Sequence, residues 1–433
     1  MKTKLKRKML KENKERGITL IALVITIVVL VILVSVSIAM LTGDNGILSK
    51  MDKTKEENEY RNAEEKVKLA ITGAKSDDGN MSVEEFLKEI ELQGGTLVGT
   101  QFPVEAKMEE YRFIIDEHEK IMEFKELNEI TGHQKRNVIS KDKIGNYIII
   151  PSGFEILNPM ECVIDGIVIK DKTHENTKGS EFVWIPVGNI KKEDGTIEKI
   201  EINRYIFNSK GQEKGQADKA INNEYNDKYN YKELAISDKG NSVAENIEEF
   251  KSKATSSKGY YIGRYEARTA TERKNEYDKL TKITEKKEDY IYNYISQIRA
   301  SELSKNMYKN DNFKSDLINS YAWDTAIVFF QKFDNRNNKN GELKPYSRQN
   351  SLNMNDLASW GTSKLEEKDI ICNVYDMASN CYEWTTETAN DSKIPCVLRG
   401  GGYNDSGCTT SYRFSNYKTY ALDRYTFRPI LYL

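Results

Sequence analysis

Cysteine is scarce in this chain, and its spacing argues against one class of site. Five cysteines occur in 433 residues, four of them in the last 62, and no two form a C-x-x-C pair. Structural zinc sites are built on such pairs, so zinc is not expected. If the C-terminal region is exported, Cys372 with Cys381 and Cys396 with Cys408 can form disulfides, and buried free thiols are the equal alternative.

The chain also lacks an excess of charge, since its formal net charge is −2. Eight Lys and Arg residues in positions 1–16 are the exception, and 24 uncharged residues, 18–41, follow them closely. A helix of that length reaches about 36 Å, more than the ~30 Å of a hydrocarbon core. The pattern predicts no nucleic-acid partner but a single-pass membrane protein, with the basic head in the cytoplasm and everything after residue 41 outside.

The junction between the basic head and the apolar run is a glycine followed at once by "ITLI". It resembles the leader of type IV prepilins and pseudopilins. The resemblance implies a leader over 1–17, cleavage by prepilin peptidase between Gly17 and Ile18, methylation of Ile18, and other pilins as partners. That family usually has Glu at the fifth mature position, where this chain has Ala22, which argues against efficient polymerisation. A plain membrane anchor is the alternative.

The next residues, 42–130, have the pattern of a small pilin-like stem and head. Residues 47–72 are helix-prone, with one apolar face formed by Tyr60, Ala63, Val67 and Ala70. Ser82 and Glu85 form a capping box that begins a second helix, and Gly94-Gly95 ends it. Two β-prone runs around a polar turn over 111–124 predict a hairpin.

A second domain is predicted over 146–433, where short apolar runs alternate with polar turns. Residues 189–258 are crowded with charged and small residues and predict a long surface insertion. Residues 320–333, "SYAWDTAIVFFQKF", predict an amphipathic helix. The fold class predicted for the whole chain is therefore α+β, a long N-terminal transmembrane, pilin-like helix with a helix-hairpin head, followed by the second domain.

Three segments of this second domain carry another resemblance: "YIGRYEA", "NVYDMASNCYEWTTE" and "LRGGGYNDSG". Together they resemble the formylglycine-generating enzyme family, whose fold is a variant of the C-type lectin fold. We expect Arg399 and Arg428 to pair with internal carboxylates such as Asp376 or Glu383. The resemblance implies that Asn380 and Glu383 bind Ca²⁺ through oxygen. A hydrogen-bonded turn without metal is the alternative.

The oxidising enzymes of that family hold copper with two close cysteines, and no such pair is evident around Cys408. Copper held by Cys396 and Cys408 remains an alternative if the two approach in space. A related branch holds iron with histidines, but the three histidines here, His118, His133 and His174, all precede the core of the resemblance. The sequence therefore favours a non-catalytic domain.

The C-terminal residues are rich in tyrosine interleaved with short polar side chains, a composition typical of paratopes. Half of these tyrosines are expected to be exposed. The predicted ligand-binding residues are Tyr403, Asn404, Asp405, Tyr412, Tyr417, Tyr420 and Tyr425.

The function predicted is that of a pilin-like cell-surface protein whose lectin-like domain recognises an extracellular protein or glycan, in adhesion or recognition. Domains of this kind at a chain terminus also resemble variable proteins diversified by retroelements. The alternatives are a copper-dependent oxidase of the formylglycine-generating type and a structural pilus or pseudopilus subunit.

Overall fold

The structure is a computed structural model. It describes residues 23–36, 47–76, 79–207, 213–216, 221–223, 226–233, 247–278, 280, 282–286, 288–309, 311–333, 370–389, 391, 393–402 and 410–433. Two compact units divide the chain, Met1–Ile121 and Met122–Leu433. This division assigns residues 122–145 to the second unit.

The first described helix, α1, covers residues 23–36, and its apolar side chains are exposed. No helix in the described ranges combines enough length and hydropathy to cross a membrane. The predicted transmembrane helix over 18–41 is therefore wrong, and so are the single-pass membrane localisation and the prepilin assignment that depended on it. The leader, Gly17 and Ile18 lie outside the described residues.

The first unit packs two helices against an antiparallel sheet. Its elements are α2 (Ile47–Gly73), α3 (Val83–Leu92), β1 (Thr96–Val98), β2 (Val104–Met108) and β3 (Tyr111–Ile115), with the strands in sequential order. Strand β4 (Ile121–Glu123), which follows β3 in the sheet order, begins at the last residue of this unit. The predicted apolar face of α2 is buried. The Ser82 side chain accepts a hydrogen bond from the Glu85 amide at 3.1 Å and caps α3. The predicted helix, cap and hairpin are thus confirmed.

The second unit is built mainly of strands. In chain order its first elements are β5 (Val138–Lys141), β6 (Tyr147–Ile150), β7 (Phe154–Ile156), β8 (Val168–Asp171), β9 (Glu181–Pro186), β10 (Gly188–Lys191), β11 (Ile197–Ile200), β12 (Tyr205–Phe207), β13 (Glu213–Gln216), β14 (Ile221–Asn223), β15 (Asn226–Glu233), α4 (Ile247–Ser256), β16 (Gly259–Gly263), β17 (Arg268–Thr269) and β18 (Tyr290–Ile291). Strands β10–β15 and helix α4 therefore occupy the described parts of the predicted insertion.

The remaining elements are α5 (Gln297–Met307), β19 (Lys314–Leu317), α6 (Ser320–Phe333), β20 (Ile370–Ile371), β21 (Val374–Tyr375), β22 (Tyr382–Ala389), β23 (Cys396–Arg399), β24 (Arg413–Asn416), β25 (Tyr425–Phe427) and β26 (Pro429–Tyr432). Over the described residues the chain is thus mostly β-sheet. The predicted α+β class, which rested on a long N-terminal transmembrane helix, is corrected accordingly.

Two six-stranded sheets organise the second unit. One has the order β19-β26-β16-β9-β8-β7, so the last strand of the chain pairs with strands from its middle. The other has the order β14-β15-β22-β23-β24, and β25 pairs in parallel with β22. Every residue of β9, β16 and β22 is buried, as expected for central strands covered on both faces. Helix α6 forms as predicted, but it is buried around nearly its whole circumference.

Candidate functional site

The predicted calcium ligand Glu383 lies on β22, opposite β23. Both of its carboxylate oxygens are bound by Arg428: Nη2 donates to Oε1 at 2.6 Å and Nε donates to Oε2 at 3.0 Å. Arg428 also donates to the carbonyls of Gly263 and Tyr375, each at 2.8 Å. The predicted pairing of Arg428 with an internal carboxylate is confirmed, and this pair occupies Glu383 fully.

Asn380, the second predicted calcium ligand, lies in the turn before β22 with a left-handed φ of 67°. Its Nδ2 donates to the buried carboxylate of Glu266, and the Cys381 amide donates to the other oxygen of Glu266 at 2.9 Å. Burial, together with the charges of neighbouring acids, raises the pKa of Glu266 well above its ordinary value. Of the side-chain oxygens of Asn380 and Glu383, Asn380 Oδ1 is the one that is buried without a hydrogen bond.

Calcium takes six to eight oxygen ligands, and these residues do not fit that requirement. One amide oxygen is available, while Glu383 is held by a guanidinium group. Within the described ranges no group of three or more His, Cys, Asp or Glu side chains is arranged to hold a metal ion. The geometry of Asn380 and Glu383 is that of a hydrogen-bonded turn beside an ion pair.

A second buried ion cluster joins α6 to the sheet of β22, β23 and β24. Arg399 donates to Asp324 Oδ1 at 2.7 Å, and Arg413 donates to Asp324 Oδ2 at 2.7 Å and to Glu387 at 2.8 Å. Arg204 also binds Glu387. Burial opposes ionisation of Glu387, but the three guanidinium groups outweigh it and lower its pKa to about 2. The predicted pairing of Arg399 with an internal carboxylate is thus confirmed, although its partners are Asp324 and Glu387 rather than Asp376 or Glu383.

Glycine is required at one position of the "RGGG" segment. Gly400 has a φ of +73°, and a Cβ atom there would lie 2.5 Å from the carbonyl oxygen of Met377. Only glycine tolerates both conditions. The segment therefore brings β23 close to the turn that precedes β22. Its role is structural.

The described cysteines do not form an evident reactive centre. Cys162, Cys381 and Cys396 are buried free thiols, and no disulfide joins Cys372 to Cys381. Burial raises the pKa of Cys162 to about 11 and that of Cys396 to about 12. Copper ligation and nucleophilic attack both require the thiolate, which burial disfavours at Cys396. Cys408 lies outside the described residues, so the structure does not place the proposed copper pair.

The structure separates the predicted ligand-binding residues into three groups. Tyr417 and Tyr420 are exposed by 45% and 41%, and their rings lie 4.8 Å apart at an angle of 42°. Tyr412 is half-buried, and Tyr425 is buried against Trp384, with 5.3 Å between ring centres. Tyr403, Asn404 and Asp405 lie outside the described residues. Only Tyr417 and Tyr420 form an exposed aromatic pair, which we call the tyrosine pair.

The tyrosine pair is displayed on the loop between β24 and β25, residues 417–424, which we call the recognition loop. At its start Asn416 accepts the Tyr417 amide at 2.9 Å and donates to the Tyr425 hydroxyl at 2.6 Å. The Tyr420 amide donates to the Tyr417 carbonyl at 3.2 Å and closes a turn. Tyr425, predicted as a ligand contact, therefore supports the loop from below.

The base of the recognition loop is bound by segments far away in the chain. The Asn293 side chain donates to the Asp423 carbonyl at 2.9 Å, and the Tyr294 amide donates to the Leu422 carbonyl at 3.0 Å. The Tyr382 amide donates to the carbonyl of Arg424 at 2.9 Å. These bonds fix the base of the loop within the fold.

Tyr294 is a residue that the sequence analysis did not single out. Its φ is +50°, a left-handed conformation that is rare for a bulky side chain and costs of order 1–3 kcal/mol. Arg273 holds it there by donating to the Asn293 carbonyl at 2.7 Å and to the Tyr294 carbonyl at 2.8 Å. The only sequence hint is the tyrosine and asparagine content of "YIYNY", which does not distinguish it from other tyrosine-rich stretches.

Comparison with known proteins gives little further guidance. No protein-family model and no curated protein matches the chain. Among solved structures, it is similar to Treponema denticola variable protein 1, with 13% identity over 60% of this chain and 99% of that one, at a TM-score of 0.31.

The chain is also similar to the crystal structure of CarF, with 16% identity over 29% of this chain and 50% of that one, at a TM-score of 0.22. The chain thus spans about half the length of CarF. At TM-scores this low neither likeness carries an argument, and neither the prepilin nor the formylglycine-generating enzyme resemblance gains support from them.

Proposed function

We propose that the second unit is a non-catalytic recognition domain of C-type-lectin-like arrangement, which binds a folded protein through the recognition loop. The observation that carries the proposal is the tyrosine pair, two adjacent and exposed rings on a loop whose base is fixed by hydrogen bonds. Tyrosine offers a large contact area at a small entropy cost. A loop that is already ordered loses little further freedom on binding.

The buried polar groups support a scaffold role around this loop. The Glu383–Arg428 pair and the cluster of Asp324 and Glu387 with three arginines are shielded from solvent, so a substrate cannot reach them. Each of these carboxylates forms ion pairs with arginines inside the fold. Residues of this kind fix the positions of β22, β23 and β24, from which the recognition loop extends.

The test is binding of purified protein to an array of folded proteins, with a glycan array in parallel. We expect the double variant Tyr417→Ala, Tyr420→Ala to lose binding to each protein that the unmodified chain binds, with an unchanged melting temperature. Tyr277→Ala is the matched control, since Tyr277 is 79% exposed elsewhere on the same unit. It should change neither binding nor stability.

Two outcomes would count against the proposal. If the double variant melts at a much lower temperature, the tyrosine pair contributes to packing rather than to recognition. If binding is confined to the glycan array, the domain is a recognition module for sugars, and the choice of a protein partner is wrong.

A further inference from the structure

His174 lies between two carboxylates that belong to different segments of the second unit. Its Nδ1 is 2.9 Å from Asp171 Oδ1, at the end of β8, and its Nε2 is 3.5 Å from Asp311 Oδ1, in the connection between α5 and β19. The ring packs edge-on against Tyr308, 5.2 Å between centres, and against Phe313, 6.0 Å between centres. These contacts of His174 join two loops that are distant in the chain.

The two carboxylates differ in their freedom to move. Asp171 is buried and also accepts hydrogen bonds from the Thr177 hydroxyl at 2.5 Å, the Tyr308 hydroxyl at 3.0 Å and the His174 amide at 3.1 Å. The side chain of Asp311 is 29% exposed. Any change in the charge of the ring must therefore be met by movement of Asp311 and its connection, because Asp171 is held in place.

The protonation state of the ring decides the sign of its contact with Asp311. A protonated imidazole donates from both nitrogens, whereas a neutral one donates from only one of them. Asp171 accepts from Nδ1, so the neutral ring turns the Nε2 lone pair toward the carboxylate of Asp311. The contact then changes from attraction to repulsion.

The other groups around the ring do not replace this charge. The Tyr308 hydroxyl is committed to Asp171, and burial raises its pKa well above the ordinary value, so it does not ionise near neutrality. The nearby cation Lys172 is already paired with Glu155, with 2.9 Å between Nζ and Oε2. His174 is thus the titratable group that balances Asp171 and Asp311.

We propose that His174 is a proton-dependent latch: the charged ring ties Asp311, between α5 and β19, to the loop after β8, and loss of the proton releases Asp311. Burial lowers the pKa of His174, but the hydrogen bond and charge of Asp171, joined by Asp311, outweigh burial and raise it. Because the folded pKa is raised, the stabilisation is complete below the ordinary pKa of 6.5 and is lost as the pH rises through the folded value.

The connection that carries Asp311 is linked through α5 to the sheet of β22, β23 and β24, from which the recognition loop extends. Helix α5 ends where the connection begins, and it packs against β22, β25 and β19. Gln297, at the start of α5, donates to the carbonyls of Thr385 and Glu387 on β22. The latch therefore lies at one end of a helix whose other end is bonded to the scaffold of the recognition loop.

The test is hydrogen exchange of the peptide covering 306–314 in the full chain at about pH 6 and about pH 8.5, corrected for intrinsic rates, beside an NMR titration of the histidines. We expect protection of this peptide to fall on the order of threefold at the higher pH, the size expected of a partly exposed ion pair. The His174 resonances should titrate above the ordinary histidine value.

Variants distinguish the latch from a general effect of pH. Asp311→Asn removes the carboxylate that faces Nε2, so its protection should become independent of pH, and it avoids any folding defect of a histidine replacement. His133→Gln, the matched control, should keep the pH step of the unmodified chain. The proposal is overturned if His174 titrates at or below the ordinary value, or if Asp311→Asn retains the full step.

Discussion

Replacement of Glu387 by glutamine tests the scaffold most directly, because that carboxylate neutralises three buried guanidinium groups. Glu387→Gln keeps the shape of the side chain but removes the carboxylate that Arg204 binds, and it leaves Arg399 and Arg413 with Asp324. Breaking a buried ion pair by removing one partner costs about 3–5 kcal/mol. We expect a loss of that size in the free energy of unfolding of the second unit at neutral pH.

The pKa of Glu387 gives an independent magnitude. A fall from the ordinary 4.5 to about 2 corresponds to about 3 kcal/mol, at about 1.4 kcal/mol for each pKa unit. Because the folded pKa is lowered, this contribution is complete above the unfolded pKa. It is lost as the pH falls from about 5 to about 2. The glutamine variant should lack this part of the acid sensitivity.

The assay is denaturant unfolding followed by tryptophan fluorescence, since all four tryptophans lie in the second unit. Glu248→Gln is the control, because the Glu248 side chain is 81% exposed and pairs with Lys251 at the surface. It should change stability by less than about 0.5 kcal/mol. A loss below about 1 kcal/mol for Glu387→Gln, or acid sensitivity equal to that of the unmodified chain, would refute the reasoning.

Two further predictions concern single positions. Gly400→Ala should destabilise the second unit by about 3 kcal/mol, because the new Cβ would meet a carbonyl oxygen and the backbone there is left-handed. Gly195 also has a positive φ but has open space around it, so Gly195→Ala should cost only about 1 kcal/mol. The unfolding midpoints of the two variants measure this difference. In a thiol-labelling assay of the native protein at about pH 8, Cys162, Cys381 and Cys396 should stay unmodified because burial raises each pKa. Rapid labelling of Cys396 would show that its burial is wrong.

The features that the sequence predicted well are those whose cause is local. The cap of α3 depends on Ser82 and a residue three positions later, and the buried face of α2 follows from the 3.6-residue period of a helix. Helix α6 was also recognised from its period, but composition did not show how completely it would be covered. Its burial arises because β9, β11, β12 and β22 all pack on it.

The membrane prediction rested on hydropathy alone. A run of 24 uncharged residues sets only the greatest length of apolar helix that the sequence permits. No helix in the part of the chain that the structure describes is long and apolar enough to cross a membrane. The prepilin interpretation depended on the same apolar run, so it is corrected together with the transmembrane prediction.

Pairings across long sequence separations were the least predictable part of the site. The partner of Arg428 was within the set expected, since Glu383 belongs to a neighbouring segment of the same pattern. Arg399 instead binds Asp324, 75 residues earlier on α6. Nothing in either local sequence selects that pairing, because it depends on how the helix crosses the sheet.

The same limit explains why composition could not separate contact residues from supporting ones in the C-terminal segment. Tyr425 and Tyr417 have similar polar neighbours, yet Tyr425 begins a strand that pairs in parallel with the buried β22, and Tyr417 follows the last residue of β24. Tyr294 belongs beside them although it is far away in the chain, because Arg273 and Leu422 hold its backbone in a conformation that its own sequence disfavours. The shape of the recognition loop is therefore a property of three distant segments, and its tyrosines acquire their roles only when the sheet register brings those segments together.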